Sequence, residues 1–487
     1  MTDAPVVQTT SGPVRGSWRD AGTPNASAAY LGIPFAAAPV GDLRFAAPVP
    51  PEPWTEVRDA TSYGATALRR DPGGTLIPEP PVPGDAILNV NVFTPMPAEK
   101  LPVLVWIHGG GYTEGSPASP WYDGSRFNRD GVVTVSLSYR LGFDGFGYID
   151  GAPHNRGVLD WIAGLEWVQQ NIAAFGGDPD RVTIGGQSAG GGAVLTLLSM
   201  PAAQHLFHGA LALSAALADI PADVAKKRGE RLAGILEIEP TLAGFRSVSE
   251  SRILKNQPKA VSGRKGLGLL SGLIDDGLPW GPIVDCELVL RPAADALRDG
   301  IGADKPLVLG ATDDEFTMVA DRAPRALRVV PSTALLRGVL RDRGVRRAYL
   351  RANRSQRAKG SAAMVGRFVT DHVFRSLVVR VAEARREADA ETWVYAFTWV
   401  SPTKGWACHC LDVPFWFDGL DRERVSDLAG PNPPQSLADD MHGAAVSFVT
   451  GGAPGWPAWR TEPGTARVFG GHPQITTTAY DDTLALV

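Results

Sequence analysis

Cysteine is nearly absent from this chain: Cys286, Cys408 and Cys410 are the only three in 487 residues. Three thiols cannot build a disulfide framework, and an odd number fits a reducing compartment. Lysine is also scarce, supplying 9 of the 47 basic residues, and against 52 acids the formal net charge is −5. Such a mild acidity lacks the basic domain that a general nucleic-acid binder shows. No window approaches 18 uninterrupted apolar residues, so no membrane span is expected. The opening stretch, Met1 to Gln8, has neither a basic nor an apolar region of the kind a secretory signal needs. These absences together predict a cytoplasmic protein without nucleic-acid or membrane partners. The lack of any repeat excludes collagen, coiled coil and solenoid.

What is plentiful is glycine and proline, 55 and 40 residues. That is near a fifth of the chain, against an average of about 12%. Many turns and long ordered loops follow. Residues 1–60 read as short strands broken by these two residues, with Ala28–Ile33 the clearest. Leu88–Phe93 alternates apolar and polar positions and predicts a half-buried strand. Val103–Ile107 and Val132–Leu137 are near-continuous apolar runs, the pattern of strands covered on both faces. Gly157–Phe175 carries apolar residues at helical spacing, Arg181–Ile184 reads as a strand, Ala189–Leu198 as a helix and Gly209–Leu213 as a strand. Pro306–Ala311 and Thr392–Val400 add two more strands. This alternation predicts an α/β fold with a mostly parallel sheet covered by helices on both faces. Segments 237–280 and 317–389 interrupt it and read as helical insertions. The expectation is one catalytic domain over 1–487 with a cap-like subregion. From Arg322 to Lys359 the chain holds eleven Arg and one Lys against a single acid, Asp342. It reads as a solvated helical face, with an anion-attracting patch as the sharper alternative.

Gly186-Gln187-Ser188-Ala189-Gly190 matches G-x-S-x-G. Alone the match is weak. Its place between a predicted strand and a predicted helix is what a nucleophile elbow requires, with Ser188 exposed on a strained turn. Val103–Ile107 leads into His108-Gly109-Gly110-Gly111-Tyr112. Glycines after a buried strand let backbone N–H groups approach a reacting carbonyl. Gly110, Gly111 and Ala189 are therefore the expected oxyanion donors, and His108 beside them reads as structural. Neither a Lys-Ser/Thr ending nor G-x-G-x-x-G is present to make this a phosphate loop.

Here the chain resembles the type B carboxylesterase family of the α/β-hydrolase fold. The likeness rests on Tyr30–Phe35, Pro39-Val40-Gly41, Leu43-Arg44-Phe45 and Leu88-Asn89-Val90, then on Trp106–Gly111 and Ser138–Gly142. Asn155 to Asp160 and Trp167 to Pro179 continue it into the elbow. The set is dense over about the first 215 residues and sparse beyond. Three departures stand out. The family's early cysteine pair is missing, with Asp85-Ala86-Ile87-Leu88 in its place. Leu213-Ser214-Ala215 replaces the usual Ser-Gly, although Ser214 still matches the family's serine behind the triad. Phe316 stands where glycine is usual. The resemblance implies a serine carboxylic-ester hydrolase that needs no cofactor or metal and acts on small-molecule esters as a monomer or homodimer. It leaves open a non-catalytic adhesion protein of the neuroligin kind, which presence of the whole triad would exclude.

An acid and a base must follow Ser188 in that order in this fold. The strand Pro306–Gly310 runs into Ala311-Thr312-Asp313-Asp314-Glu315, and the family's pattern falls on Glu315, with Asp314 as its rival. Of eight histidines, His372, His409, His442 and His472 come later. His372 and His442 lie in helical patterns. His409, between Gly405 and Asp412-Val413-Pro414-Phe415-Trp416-Phe417, resembles the family's base. Cys408 and Cys410 read as small buried hydrophobes rather than nucleophiles or zinc ligands. Trp406, Trp416 and Tyr112 could wall a pocket for aryl or benzyl esters with short acyl chains, or could simply be core. Aryl carbamates are the alternative substrate class, since the same attack serves them.

Overall fold

Apolar runs of five to seven residues form the middle of an eleven-stranded sheet in the computed structural model. The structure describes residues 4–70, 75–261, 277–320, 330–470 and 474–487. The strands are β1 (Ser17–Arg19), β2 (Ser27–Pro34), β3 (Asn89–Pro95), β4 (Leu101–Ile107), β5 (Val133–Leu137) and β6 (Gly177–Gln187). After them come β7 (Gly209–Leu213), β8 (Leu307–Thr312), β9 (Thr392–Phe397), β10 (Ala466–Phe469) and β11 (Gln474–Thr476). Their order across the sheet is β11-β10-β9-β8-β7-β6-β4-β5-β3-β2-β1. The run from β10 to β5 is parallel, and the antiparallel pairs lie at the two edges.

Burial explains the apolar runs. Val103, Val105 and Ile107 of β4 enter one core cluster, while Leu104 and Trp106 enter another on the opposite face. A strand covered on both sides has no polar face to show. The expected alternation in β3 is real in sequence but does not mark a solvated side: every residue from Asn89 to Thr94 is buried. Its asparagines are there because the chain satisfies them. Asn91 accepts from Gly32 N and donates to Ser136 Oγ, and Asn89 donates to the carbonyls of Ala65 and Ala86. A hydrogen-bonded buried amide is tolerated where an unpaired one is not.

Helices α1 (Arg156–Asn171), α2 (Ala189–Leu198), α3 (Arg343–Ala352), α4 (Ser361–Thr370), α5 (Ser376–Glu387) and α6 (Gln435–Gly451) place the rest. In α2 every residue is buried although three are glycine. Each such glycine in a helix costs up to about 1 kcal/mol against alanine. Here Gly191 and Gly192 admit the carbonyls of Leu213 and Ala216, which a Cβ would meet. The segment 317–389 is helical where described and has its own small core of Leu336, Tyr349, Leu350, Met364 and Phe368. Arg337, Arg341, Arg343, Arg347, Arg351, Arg354 and Arg357 are exposed and make no ion pair among the described residues, as a solvated face would. Arg322, Arg325 and Arg328 lie outside the described residues, as do His472 and part of the 237–280 insertion.

Residues far along the chain return to the sheet. Tyr480 donates to the Tyr395 carbonyl at 2.6 Å and accepts from Ala311 N at 3.2 Å, bridging β8 and β9. No helix among the described residues is long and apolar enough to cross a membrane.

Candidate active site

In an open parallel sheet the loops beyond the strand C-termini share one edge, and ligands bind there. Ile107, Gln187, Leu213 and Thr312 end β4, β6, β7 and β8, and the register keeps these ends level. The elbow follows β6. Ser188 has φ 59° and ψ −124°, a conformation a residue with a Cβ adopts only under constraint. Its N–H donates to the Leu213 carbonyl, and its carbonyl accepts from Gly192 and Ala216. The turn closes because Gly186 and Gly190 lack side chains. A Cβ on either would collide with backbone, that of Gly190 for the first and of Ile107 for the second. Ser188 stays 9% exposed in an otherwise buried setting.

The glycine loop after β4 runs alongside. Gly110 and Gly111 have φ +105° and +59°, and a Cβ on Gly110 would strike the Glu114 carbonyl. Their N–H groups take no backbone acceptor among the described residues. Ala189 opens α2, where the first N–H groups have no intrahelical acceptor. His108 is buried, stacks on Tyr139 and has Nδ1 2.9 Å from the Gly109 carbonyl. Burial pulls its pKa down to about 3, so it stays neutral.

Glu315 is fully buried beyond β8. Its Oε1 accepts from Thr312 N at 2.9 Å, and its Oε2 lies 2.5 Å from His409 Nδ1. His409 N also donates to the Glu315 carbonyl, so the two loops are tied by backbone as well. The other ring nitrogen, His409 Nε2, is 3.0 Å from Ser188 Oγ. Neither neighbouring acid reaches the imidazole. Asp313 pairs with Arg367 and Arg375. Asp314 accepts from Gln356 and Thr317, and burial lifts its carboxyl to about 6. Burial opposes a charge on His409, but its contacts with Cys410 and with the Glu315 carboxylate outweigh it and hold the imidazole well above the ordinary histidine value.

The other sequence candidates fall elsewhere. Ser214 follows β7 at φ +44°, and its buried hydroxyl has no hydrogen-bond partner among the described residues. His442 is buried in α6 between the Trp416 carbonyl and Asp130, and His372 lies on the helical turn that joins α4 to α5. Cys408 and Cys410 are buried, and burial raises both thiols, Cys408 to about 12, so both stay protonated. Of the three aromatics that could wall a pocket or be core, two are core. Tyr112 packs on Phe146 and Trp161, and Trp416 packs on Tyr395 and Phe469. The rings that do meet His409 are Phe316 and Phe374, each centred 5.1 Å from the imidazole and 5.6 Å from one another. Phe316 was visible in sequence as a departure from glycine; Phe374, 58 positions on, gave no signal.

Comparison with known proteins gives the family. The carboxylesterase family profile matches residues 3–469. The chain is 34% identical over 478 residues to a para-nitrobenzyl esterase of Bacillus subtilis (strain 168), covering 94% of this chain and 93% of the relative. It is 31% identical over 504 residues to a phenmedipham hydrolase of Pseudarthrobacter oxydans, covering 96% of each. Among solved structures, a thermophilic para-nitrobenzyl esterase superposes with a TM-score of 0.86 at 29% identity over the whole of both chains. A Geobacillus stearothermophilus carboxylesterase gives 0.84 at 31% identity over 99% and 100% of the two chains. With the sheet, the elbow and these likenesses in agreement, the chain belongs to the carboxylesterase family and is a carboxylic-ester hydrolase of the α/β-hydrolase fold.

Proposed function

We propose that Ser188 is the nucleophile, His409 the general base and Glu315 the acid that orients it. The carrying observation is the continuous relay from Ser188 Oγ through His409 to Glu315, at 3.0 and 2.5 Å. Ser188 Oγ attacks the ester carbonyl carbon while its proton passes to His409 Nε2. The developing oxyanion takes hydrogen bonds from the N–H groups of Gly110, Gly111 and Ala189. Collapse breaks the bond to the alcohol oxygen, which leaves with the proton from His409, and Ser188 keeps the acyl group. Water, deprotonated by His409, then releases the acid and restores the serine. Glu315 keeps Nδ1 protonated and offsets the imidazolium charge. Ser214, behind the site, has a support role.

Uncharged esters with short acyl chains on aryl or benzyl alcohols are the proposed substrates. The half-buried Phe316 beside His409 and the likeness to para-nitrobenzyl esterases support this choice. Carbamates are the second reading, favoured by the likeness to a phenmedipham hydrolase. Segments 237–280 and 317–389 would act as the cap, a reading supported by the separate small core of the latter. Three unpaired thiols support a reducing, cytoplasmic setting. The test is a hydrolysis panel of para-nitrophenyl and benzyl esters, carbamates and long-chain triglycerides, run with wild type and Ser188→Ala. Activity confined to triglycerides, or undiminished in Ser188→Ala, would sink the proposal.

A further inference from the structure

The residue before the nucleophile has no part in the relay. Gln187 ends β6 and is buried. Its side chain turns back over the site, with Nε2 3.3 Å from His409 Nε2 and Oε1 3.5 Å from Cys410 Sγ. His409 Nε2 thus faces two groups, this amide and the Ser188 hydroxyl. Such a nitrogen changes character during proton transfer. With Nδ1–H toward Glu315, neutral imidazole presents Nε2 as an acceptor; imidazolium presents it as a donor. A partner of fixed polarity suits one state only. A primary amide carries a donor and an acceptor and exchanges them by half a turn of its last torsion. A thiol is also both a weak donor and a weak acceptor.

We propose that Gln187 and Cys410 form a reversible pair that holds His409 in both protonation states, Gln187 as a positioning residue and Cys410 as its anchor. In the resting state the Cys410 S–H donates to Gln187 Oε1, and the Gln187 amide donates to His409 Nε2. Once His409 holds the serine proton, the amide turns over. Gln187 Oε1 then accepts from His409 Nε2–H alongside the substrate oxygen, and the Gln187 N–H donates to Cys410 Sγ. No proton passes to Gln187 or Cys410, and no bond to sulfur forms. Cys410 has φ +67°, a conformation that suits glycine better, so its thiol is explained by what it touches rather than by backbone preference. The charged and titratable groups facing His409 are Glu315 beyond β8 and Cys410 and Asp412 on its own loop; Phe316 and Phe374 carry no charge.

This inference rests on the triad reading, and its test separates the two. The acylation burst and the pH profile of kcat/KM are measured for Gln187→Met, Gln187→Glu, Cys410→Ala and Cys410→Ser. Gln187→Met is expected to lose about tenfold in acylation rate at unchanged burst amplitude. Gln187→Glu sets a carboxylate beside Nε2 and is expected to move the acid limb up by about one pH unit or more. Cys410→Ala is expected to lose about threefold, and Cys410→Ser, with a hydroxyl that donates and accepts, to regain it. Wild-type rates in Gln187→Met and Cys410→Ala with an unmoved limb in Gln187→Glu would overturn the proposal. So would a Cys410→Ser protein no better than Cys410→Ala. If Gln187→Met does not fold, the cysteine pair and Gln187→Glu decide. A Ser188→Ala protein that keeps its activity removes the triad reading and this one with it. An inactive Ser188→Ala beside wild-type Gln187 and Cys410 variants removes this one alone.

Discussion

Ser188 and Glu315 leave the same edge of one sheet two strands apart, yet the chain holds them by opposite means. Around the Ser188 turn it is backbones that touch, because Gly186, Gly190, Gly191 and Gly192 have no side chains. Around the loop that carries Glu315 there are buried charges. Arg367 donates to the Asp313 carbonyl at 2.6 Å and pairs with Asp371 and Asp482. Arg375 pairs with Asp371 at 2.7 Å and with Asp482 at 3.0 Å, and Tyr349 donates to Asp371. Close backbone fit fixes a turn at the level of tenths of an ångström and fails with one added methyl. A buried ion cluster is more tolerant of shape but intolerant of losing one partner, since the remaining charge is stranded. Ser188 is held by steric fit and Glu315 by electrostatics.

That contrast can be broken at several points, the largest effect first. Glu315→Gln is expected to lower kcat about 10⁴-fold, because the imidazole loses its tautomer and its counter-charge. If Glu315→Gln stays near wild type while Asp314→Asn is inactive, the acid has been misassigned. Arg367→Met leaves Arg375 alone to face the carboxylates of Asp313, Asp371 and Asp482 and is expected to cost about 3–5 kcal/mol of stability, read as a lowered urea midpoint. An unchanged midpoint would show that charge is not what fixes this loop. On the steric side, Gly110→Ala is expected to cost about 10²–10³ in kcat by displacing an oxyanion donor. Unimpaired turnover there would mean the loop has room that the structure denies it.

The remaining two effects sharpen the picture around His409. A base accepts a proton only when neutral, so kcat/KM falls as pH drops through its pKa. The Cys410 thiol is uncharged at neutral pH because burial raises it, which leaves Glu315 as the anion that lifts the imidazole. The acid limb is therefore expected above the free-histidine value of about 6.5, and Glu315→Gln should move it down. A limb at or below that value contradicts the assignment. Smallest of all, Phe316→Leu removes the ring contacts to His409 and Phe374 and is expected to cost about 0.5–1.5 kcal/mol in kcat/KM. An equal loss in kcat alone would point to the imidazole rather than to substrate binding.

The two regions also differed in how well the amino-acid order reveals them. The elbow and the glycine loop are local: strand, turn and helix lie within a dozen residues, and turn chemistry is written at the turn. The central strands were equally plain, since burial on both faces leaves a continuous apolar run. The strand Asn89–Pro95 misled because its polar residues are satisfied inside the protein, which no periodicity can distinguish from a wet face. His409 was found through a spaced pattern rather than a local one. The contacts that surround it, from Phe374, Gln187 and Cys410, join positions up to 223 apart and carry no mark in the order of residues. For Tyr112 and Trp416 proximity to motif residues leaves pocket wall and core both open, because adjacency in sequence says nothing about which side of a strand end a ring takes.

The Tyr480 bridge between the strands Leu307–Thr312 and Thr392–Phe397 has a meaning for how the protein comes into being. A ribosome delivers Ser188 early: every residue that shapes its turn is made by Ala216, and all of it packs within the first half of the chain. The loop that carries Glu315 has no such independence, because Tyr480 and Asp482, its tethers to Ala311 and to Arg367, are made 169 and 115 residues after the groups they hold. A nascent chain arrested before Tyr480 is therefore expected to carry a formed serine turn and an unaligned histidine. Such a chain should be unreactive toward an organophosphate probe, which becomes competent only as the last tether emerges. Labelling of arrested chains of graded length reads this directly. Reactivity in chains stopped short of Tyr480 would show that the tether stabilises a loop already in place.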